Sequence, residues 1–280
     1  MTSRVAVIGL GLMGGSLARA LKRLDEPPFV LGSDLTAGRG DLARAAGAVD
    51  ELCERPLDAV ATADVVVYAT PLPVTLDLLG QHLEGFRPDA LVTDVASLKG
   101  PIKERIVALG LSAQWVGAHP MGGAEQSGFE ASRADLYAGA RVWLTAAVGD
   151  HPMGPRSEAL WRSVGGVPAW TDADAHDARM ASVSHLPQLL ANALAAALAE
   201  EGLLRGDLGP GGLDMTRLAG SSPDLWLPLL EASAHRLAPA LRELAGSLDD
   251  LADVLDSHDL SAVQTFMART RAWKEHDEWG

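Results

Sequence analysis

Three short stretches hold residues whose types and spacing can do chemistry. The first is "RVAVIGLGLMGGSLARAL", residues 4–21, where an apolar run stops at Gly9 and glycines follow at 11, 14 and 15. Gly9-x-Gly11-x-x-Gly14 between a strand and a helix is a dinucleotide fingerprint. Gly9 makes the tight turn, Gly11 lets a pyrophosphate approach, and Gly14 lets helix pack on strand. The phosphates would rest on free N–H groups at the positive end of the helix, from Leu12 and Met13 onward. Asp34 stands twenty residues after Gly14. Its carboxylate can accept from a ribose 2′-hydroxyl and repel a 2′-phosphate, which favours NAD over NADP; Arg39 is close enough to work against that preference. The second stretch, "TDVASLKGPI" (93–102), carries Ser97 and Lys99. The third, "GAHPMGGAEQSGFEAS" (117–132), carries His119, then Gly122, Gly123, Glu125 and Ser127. An imidazole beside a nicotinamide suits a general base, because its pKa lies near operating pH, and a nearby serine can orient it. A histidine before proline at a strand end also has a purely structural reading. The long glycine-rich loop behind it weighs toward function.

Such residues need a frame that gathers strand ends. Apolar runs at 4–9, 29–34, 64–70, 90–95, 114–119 and 141–146 read as strands. Helical patterns at 12–24, 37–47, 73–83 and 98–109 separate the first five. Nearly continuous apolar strands alternating with helices predict a parallel sheet covered on both faces, a doubly wound Rossmann-type α/β domain. In that fold, ligands sit at the carboxyl ends of the strands. There "ATPLP" (69–73) places Thr70 and Pro71, which border the cofactor or form a simple turn. The Gly/Pro-rich "GDHPMGPRS" marks a break near residue 150. After one more helix–strand pair ending near Trp170, the chain reads as helix over 172–203, 223–243, 246–257 and 259–275. The expected division is an NAD-binding domain over 1–150 and an all-helical substrate and dimerisation domain over 151–280.

Composition narrows the partners. The 280 residues suffice for two domains, and 48% are apolar. Lys and Arg number 23 against 37 Asp and Glu, a net charge of −14. That argues against nucleic acid and against an anionic membrane surface. An anionic substrate would have to be met by locally gathered positive groups. Cys53 is the only cysteine, so no intrachain disulfide can form, which fits a reducing cytoplasm. There is no basic-then-apolar leader. The longest apolar stretch, "LPQLLANALAAALAEEGLL", is broken by Pro187, Gln188, Asn192 and two glutamates. It reads as a buried helix and not a membrane span. No histidine or cysteine cluster has metal-ligand spacing, so no metal is expected. His82, His151, His176, His235, His258 and His276 match no motif and read as surface or packing residues. The tryptophans, Trp170 and Trp226 included, read as core, and "SLDDLADVLDSHD" (247–259) as a solvated helix face and turn.

The segments "GLGLMGGSLA", "VTDVASLKGPI", "HPMGGAEQSGFEAS", "SHLPQLLANAL" and "TRLAGSSPDLW" occur in this order. Together they resemble the prephenate/arogenate dehydrogenase family of tyrosine biosynthesis, from residue 4 to the last helices. The His-Pro-x-x-Gly loop with the Ser-His-Leu-Pro helix is far more specific than the glycine fingerprint. The resemblance implies a cyclohexadiene carboxylate substrate that gives a hydride from C4 to NAD, loses CO2 and becomes aromatic. It assigns His119 to the 4-hydroxyl and its proton, and Ser97 to orienting His119 and the nicotinamide. It assigns Arg217 to a substrate carboxylate, which a guanidinium fork matches two bonds at a time. Glu125 falls at the site entrance. His185 is either a hydrogen-bonded core residue or a direct substrate contact, and Pro187 predicts a kink beside it. Many prephenate-using relatives carry a second histidine after that proline. Gln188 stands there instead, near the substrate side chain, leaving a pyruvyl side chain (prephenate) or an alanyl one (arogenate) open. In the resembled family the helical domains pair about a two-fold axis, which implies a homodimer, with "LLANALAAALA" a candidate for buried contact. Ending at 280, the chain is expected to lack the C-terminal regulatory domain of some members and any fused mutase.

Two other classes compete. β-Hydroxyacid dehydrogenases can begin "GLGxMG" and carry a helical second domain, but they use a lysine on a helix after a glycine pair, a pattern not found here. A nucleotide-sensing protein would bind NAD without turnover.

Overall fold

Strands form where apolar residues fill both faces of the chain. The computed structural model describes residues 3–122, 127–149 and 151–275. Residues 1–233 make one compact unit and 234–280 a second, the division falling inside a long helix.

The first unit opens with β1 (Arg4–Ile8), α1 (Leu12–Leu21), β2 (Phe29–Ser33), α2 (Arg39–Ala45), β3 (Glu51–Leu52) and α3 (Pro56–Val60). It continues with β4 (Val65–Tyr68), α4 (Leu72–Gln81), β5 (Leu91–Asp94) and α5 (Gly100–Ala108). These strands form a parallel sheet in the order β3-β2-β1-β4-β5. Side chains alternate between two cores. Val5 and Val7 pack with Leu17, Leu21, Phe129 and Trp161, while Ala6 and Ile8 pack with Val66, Tyr68, Ile102 and Trp115. Burial on both faces is why these strands read as unbroken apolar runs. The doubly wound frame is as expected; β3 and α3 are additions too short to leave a periodic signal.

The sheet then changes direction. Trp115 bridges Val92 in parallel and leads into β6 (Val116–Pro120), but β7 (Arg141–Ala146) runs antiparallel to β6. Among the described residues of 121–140 there is no crossover helix. That stretch instead clamps the dinucleotide helix. Tyr137 donates its hydroxyl to the Met13 carbonyl at 2.7 Å, the Arg133 N–H donates to Ser16 Oγ at 3.0 Å, and the Arg19 guanidinium lies 4.4 Å over the Phe129 ring. Beyond α6 (Gly154–Ser163), β8 (Val167–Trp170) pairs in parallel with β7. Trp170 corrects its expectation as core: it is 44% exposed, with its indole N–H on Glu158 at 2.6 Å.

Helices follow: α7 (Ala173–Met180), α8 (Leu186–Glu200), α9 (Pro210–Thr216), α10 (Pro223–Asp256) and α11 (Leu260–Glu275). The break expected between 243 and 246 is absent, since one glycine, Gly246, costs a helix only about 1 kcal/mol. Before Pro187 the chain forms a π turn, Ala181–His185. Proline offers no N–H and crowds the carbonyl four residues back. The wider turn absorbs both faults at a functional position. In the second unit, Leu248, Leu255, Leu260, Met267 and Trp273 are exposed. No described helix is long and apolar enough to cross a membrane.

Candidate active site

The glycine turn lies where β1 and β4 end side by side. Gly9 has φ +94°, a conformation that side chains disfavour, and a Cβ there would sit 2.6 Å from the Ala69 carbonyl oxygen and 2.9 Å from Thr70 Cγ2. A Cβ on Gly14 would overlap the Gly9 carbonyl oxygen, whereas one on Gly11 would meet nothing within 4 Å. No side chain caps α1 at Gly11, so the N–H groups at Leu12 and Met13 face an open cradle with a positive helix end. These features fit a dinucleotide pyrophosphate. Thr70 borders the turn through that contact with Gly9, and its hydroxyl is held by Thr75 Oγ1 at 2.8 Å; Pro71 opens α4. Asp34 folds over the turn. Its Oδ2 accepts from the Leu10 N–H at 2.7 Å, its Oδ1 accepts from the Thr36 N–H at 2.7 Å, and the Arg39 guanidinium stands 3.4 Å away.

A second concavity of about 290 Å³ is lined by Ser97, His119, Met180, His185, Trp226 and Leu229, among others. The strand ends supply Ser97 and His119; the π turn supplies His185; α10 supplies Trp226, half-buried, packed against the core and also lining the cavity. His185 is buried, its Nδ1 is 3.0 Å from Ser233 Oγ, and its ring meets Trp226 edge-on at 5.7 Å.

Ser97, which the resemblance assigns to orienting His119, lines the same cavity. None of the described hydrogen bonds links the two. His119 Nδ1 lies 2.9 Å from His176 Nε2, and His176 Nδ1 lies 2.7 Å from Asp177 Oδ1. His176, expected as a surface or packing residue, is 1% exposed and is the partner of the candidate base. The missed signal for its burial was periodicity. Ala173, His176, Asp177 and Met180 form the buried stripe of α7, an i, i+3, i+4, i+7 pattern hidden because two of its members are titratable. Asp177 also reaches the start of α5, accepting from the N–H groups of Lys99 and Gly100, each at 2.8 Å.

Burial pushes the His119 pKa well below the ordinary histidine value, and the charges of Lys99, His176 and His185 add to the effect. Both effects favour the neutral imidazole, the form a base needs. Lys99 is fully buried; its ammonium contacts Asp94 and the Ala118 carbonyl, the latter at 2.7 Å, and Asp94 is held again by the Trp115 indole at 3.1 Å. This ion pair fastens the end of β5 to the strand that carries His119. Burial lowers the Lys99 pKa while Asp94 opposes the shift. Burial alone would raise the Asp177 pKa, but the bonds from His176 and two backbone N–H groups outweigh it, and the net shift is downward.

Gln188, expected near the substrate side chain, has its amide committed to protein partners in the structure. It is 2% exposed and is absent from the described cavity lining. Its amide donates to Asn192 Oδ1 at 3.1 Å and to the Leu218 carbonyl at 2.7 Å, and accepts from Ser221 Oγ at 3.3 Å. Leu218 belongs to the 3₁₀ turn Arg217–Gly220, so Gln188 ties α8 to the turn that carries Arg217. Arg217 is exposed and likewise outside the described lining. Glu125 lies outside the described residues. Among the described residues no group could hold a metal ion.

The comparisons with known proteins agree with this geometry. Residues 17–157 match the family model described as prephenate dehydrogenase, nucleotide-binding domain, and residues 172–269 match prephenate dehydrogenase, dimerization domain. A prephenate dehydrogenase of Lactococcus lactis is 30% identical over 94% of this chain and 74% of its own length. The crystal structure of prephenate dehydrogenase from A. aeolicus, in complex with hydroxyphenyl propionate and NAD+, is 26% identical with a TM-score of 0.90, covering 99% of both chains. Synechocystis arogenate dehydrogenase is 26% identical with a TM-score of 0.82, covering 97% of this chain and 99% of that one. With both of its regions matched in order and a Rossmann-type glycine turn ahead of the helices, this chain belongs to the prephenate dehydrogenase family and is an NAD-dependent dehydrogenase.

Proposed function

We propose that the protein oxidatively decarboxylates prephenate, arogenate or both, giving 4-hydroxyphenylpyruvate or tyrosine. The observation that carries this reading is His119 in a cavity shared with Ser97 and His185 at the carboxyl ends of the strands, where burial favours its neutral form. Gly9, Gly11, Leu12, Met13, Gly14, Asp34, Thr70 and Pro71 would hold NAD, which when bound supplies the hydride acceptor. His119 takes the 4-hydroxyl proton as the C4 carbonyl forms. Loss of the ring carboxylate as CO2 aromatises the ring, and the phenolate oxygen recovers a proton. Ser97 shares the cavity with His119 and would bond the same hydroxyl. Arg217 would engage a substrate carboxylate, with Glu125 at the entrance, while His185 lines the wall.

The helical region would pair two chains as a homodimer; exposed Leu248, Leu255, Leu260, Met267 and Trp273 are apolar surface for such a contact. We place the division between NAD-binding and helical substrate domains near residue 150, and the enzyme in the cytoplasm, acting on a small molecule without nucleic acid or membrane. The deciding experiment is cofactor reduction on adding prephenate or arogenate, with NAD and NADP in turn. NADH formation with either substrate supports the reading. NAD binding without turnover would leave a sensor, and turnover only of β-hydroxyacids would leave the other dehydrogenase class.

A further inference from the structure

A base that must accept a proton at one imidazole nitrogen needs its other nitrogen controlled. In this protein the control runs through three side chains. Asp177 accepts two backbone N–H bonds, from Lys99 and Gly100, as well as the bond to His176 Nδ1. Gly100 leaves room for this: a Cβ there would stand 2.9 Å from Asp177 Oδ2. A carboxylate so surrounded by donors is an acceptor only, so the proton of the His176–Asp177 bond belongs to His176 Nδ1. His176 Nε2 is then an acceptor, and the bond to His119 has one arrangement, with the proton on His119 Nδ1. His119 Nε2 is left with its lone pair. The two rings meet edge-on, 5.1 Å apart at 75°, and α7, which carries both partners, packs against α5 and β7.

Resting on the assignment of His119 as the base, we propose that His176 and Asp177 are its positioning residues: they hold His119 as the Nδ1–H tautomer and compensate the charge that develops when Nε2 takes the substrate's hydroxyl proton. The protons balance. The O–H bond of the substrate breaks and an N–H bond forms at Nε2; the Nδ1–H bond to His176 strengthens or shifts toward it; and Asp177 supplies the counter-charge. When the phenolate forms, the proton returns to its oxygen and the relay is restored. The other titratable groups facing His119 are Lys99, from the β5–α5 turn with its ammonium on Asp94, and His185, from the π turn. The described partner of His119 Nδ1 is His176.

The opposite arrangement is chemically distinct. A doubly protonated His176 would donate to His119 Nδ1 and leave Nε2–H, which cannot act as a base. Protein labelled with 15N-histidine separates the two without any turnover, with the His119 signals assigned by their loss in His119→Asn. The expected spectrum at neutral pH shows His119 Nδ1 protonated and Nε2 bare; an Nε2–H tautomer as the main form overturns the proposal. In kinetics, His176→Gln and Asp177→Asn should lower kcat about 10- to 100-fold and leave the NAD Kd and substrate KM within about threefold, and Asp177→Asn, which removes the counter-charge, should move the acid limb of kcat/KM to lower pH. An unchanged kcat, or a loss of kcat in Asp177→Asn with the limb in place, overturns it. If His119→Asn itself retains turnover, the base assignment has failed. If that variant is inactive while His176→Gln matches the parent enzyme, only the relay has failed. Should both relay variants misfold, the spectrum of the unaltered protein decides alone.

Discussion

Gln188 Nε2 donates to the Leu218 carbonyl at 2.7 Å, so a residue on α8 fixes the turn that begins at Arg217. The expected consequence is that Gln188 acts on substrates through Arg217. Gln188→Ala should raise KM for prephenate and arogenate alike, by about tenfold, the loss of one or two buried hydrogen bonds. The ratio of kcat/KM for the two substrates checks this. A large change in that ratio with an intact Arg217 effect would mean that Gln188 reads the side chain directly.

Removing the base gives the second expectation. His119→Asn should bind NAD normally and lose turnover by at least about a hundredfold, the usual range for general-base catalysis. Because burial depresses the His119 pKa, the acid limb of the kcat/KM profile of the parent enzyme should lie below about 6.5, the ordinary histidine value. A limb above that value would show that another group controls the reaction.

The glycines divide by what a methyl group would meet. Gly14→Ala would drive Cβ into the Gly9 carbonyl and should lower Tm as well as NAD affinity. Gly11→Ala meets no protein atom within 4 Å, so Tm should hold while the NAD Kd rises about tenfold or more, as expected where a ligand must approach the backbone closely. Thermal melts and fluorescence titration with NAD separate the two.

Asp34, the residue proposed to read the ribose, also accepts from the Leu10 N–H. Asp34→Asn should narrow the preference for NAD over NADP by about tenfold, since the repulsion of a 2′-phosphate disappears and Arg39, 3.4 Å from the carboxylate, becomes free to pair with it. Comparing kcat/KM for the two cofactors tests this. An unaltered ratio would show that Asp34 serves only the turn.

Three histidines make stability pH-dependent. His82, His119 and His185 all have pKa values pushed down by burial. The unfolded chain then binds protons more readily than the folded one. Stability should be level above about pH 7 and fall as pH drops below about 6.5, continuing toward the folded pKa values. Tm measured from pH 8 to 5 reads the slope. A Tm that rises on acidification would contradict it.

Local chemistry was enough to place much of this protein. Glycine spacing, the acidic residue at the end of β2 and the apolar runs determined the nucleotide turn and the doubly wound frame, because each depends on backbone sterics and burial over a few residues. The motif order likewise brought Ser97, His119 and His185 to one cavity. Tertiary structure decided what partners those residues have. His176 lies 57 residues from His119, and Asp177 lies 78 from Lys99; no periodicity records a contact at that range. The antiparallel turn into β7 is likewise a tertiary feature, with residues 129–137 packed on α1. The Gln188 amide is held by the Leu218 carbonyl and the Ser221 hydroxyl, 30 and 33 residues away, as well as by Asn192 on its own helix. A buried polar group goes to whichever partner satisfies it at least cost in the folded chain, and that partner exists only once the chain has folded.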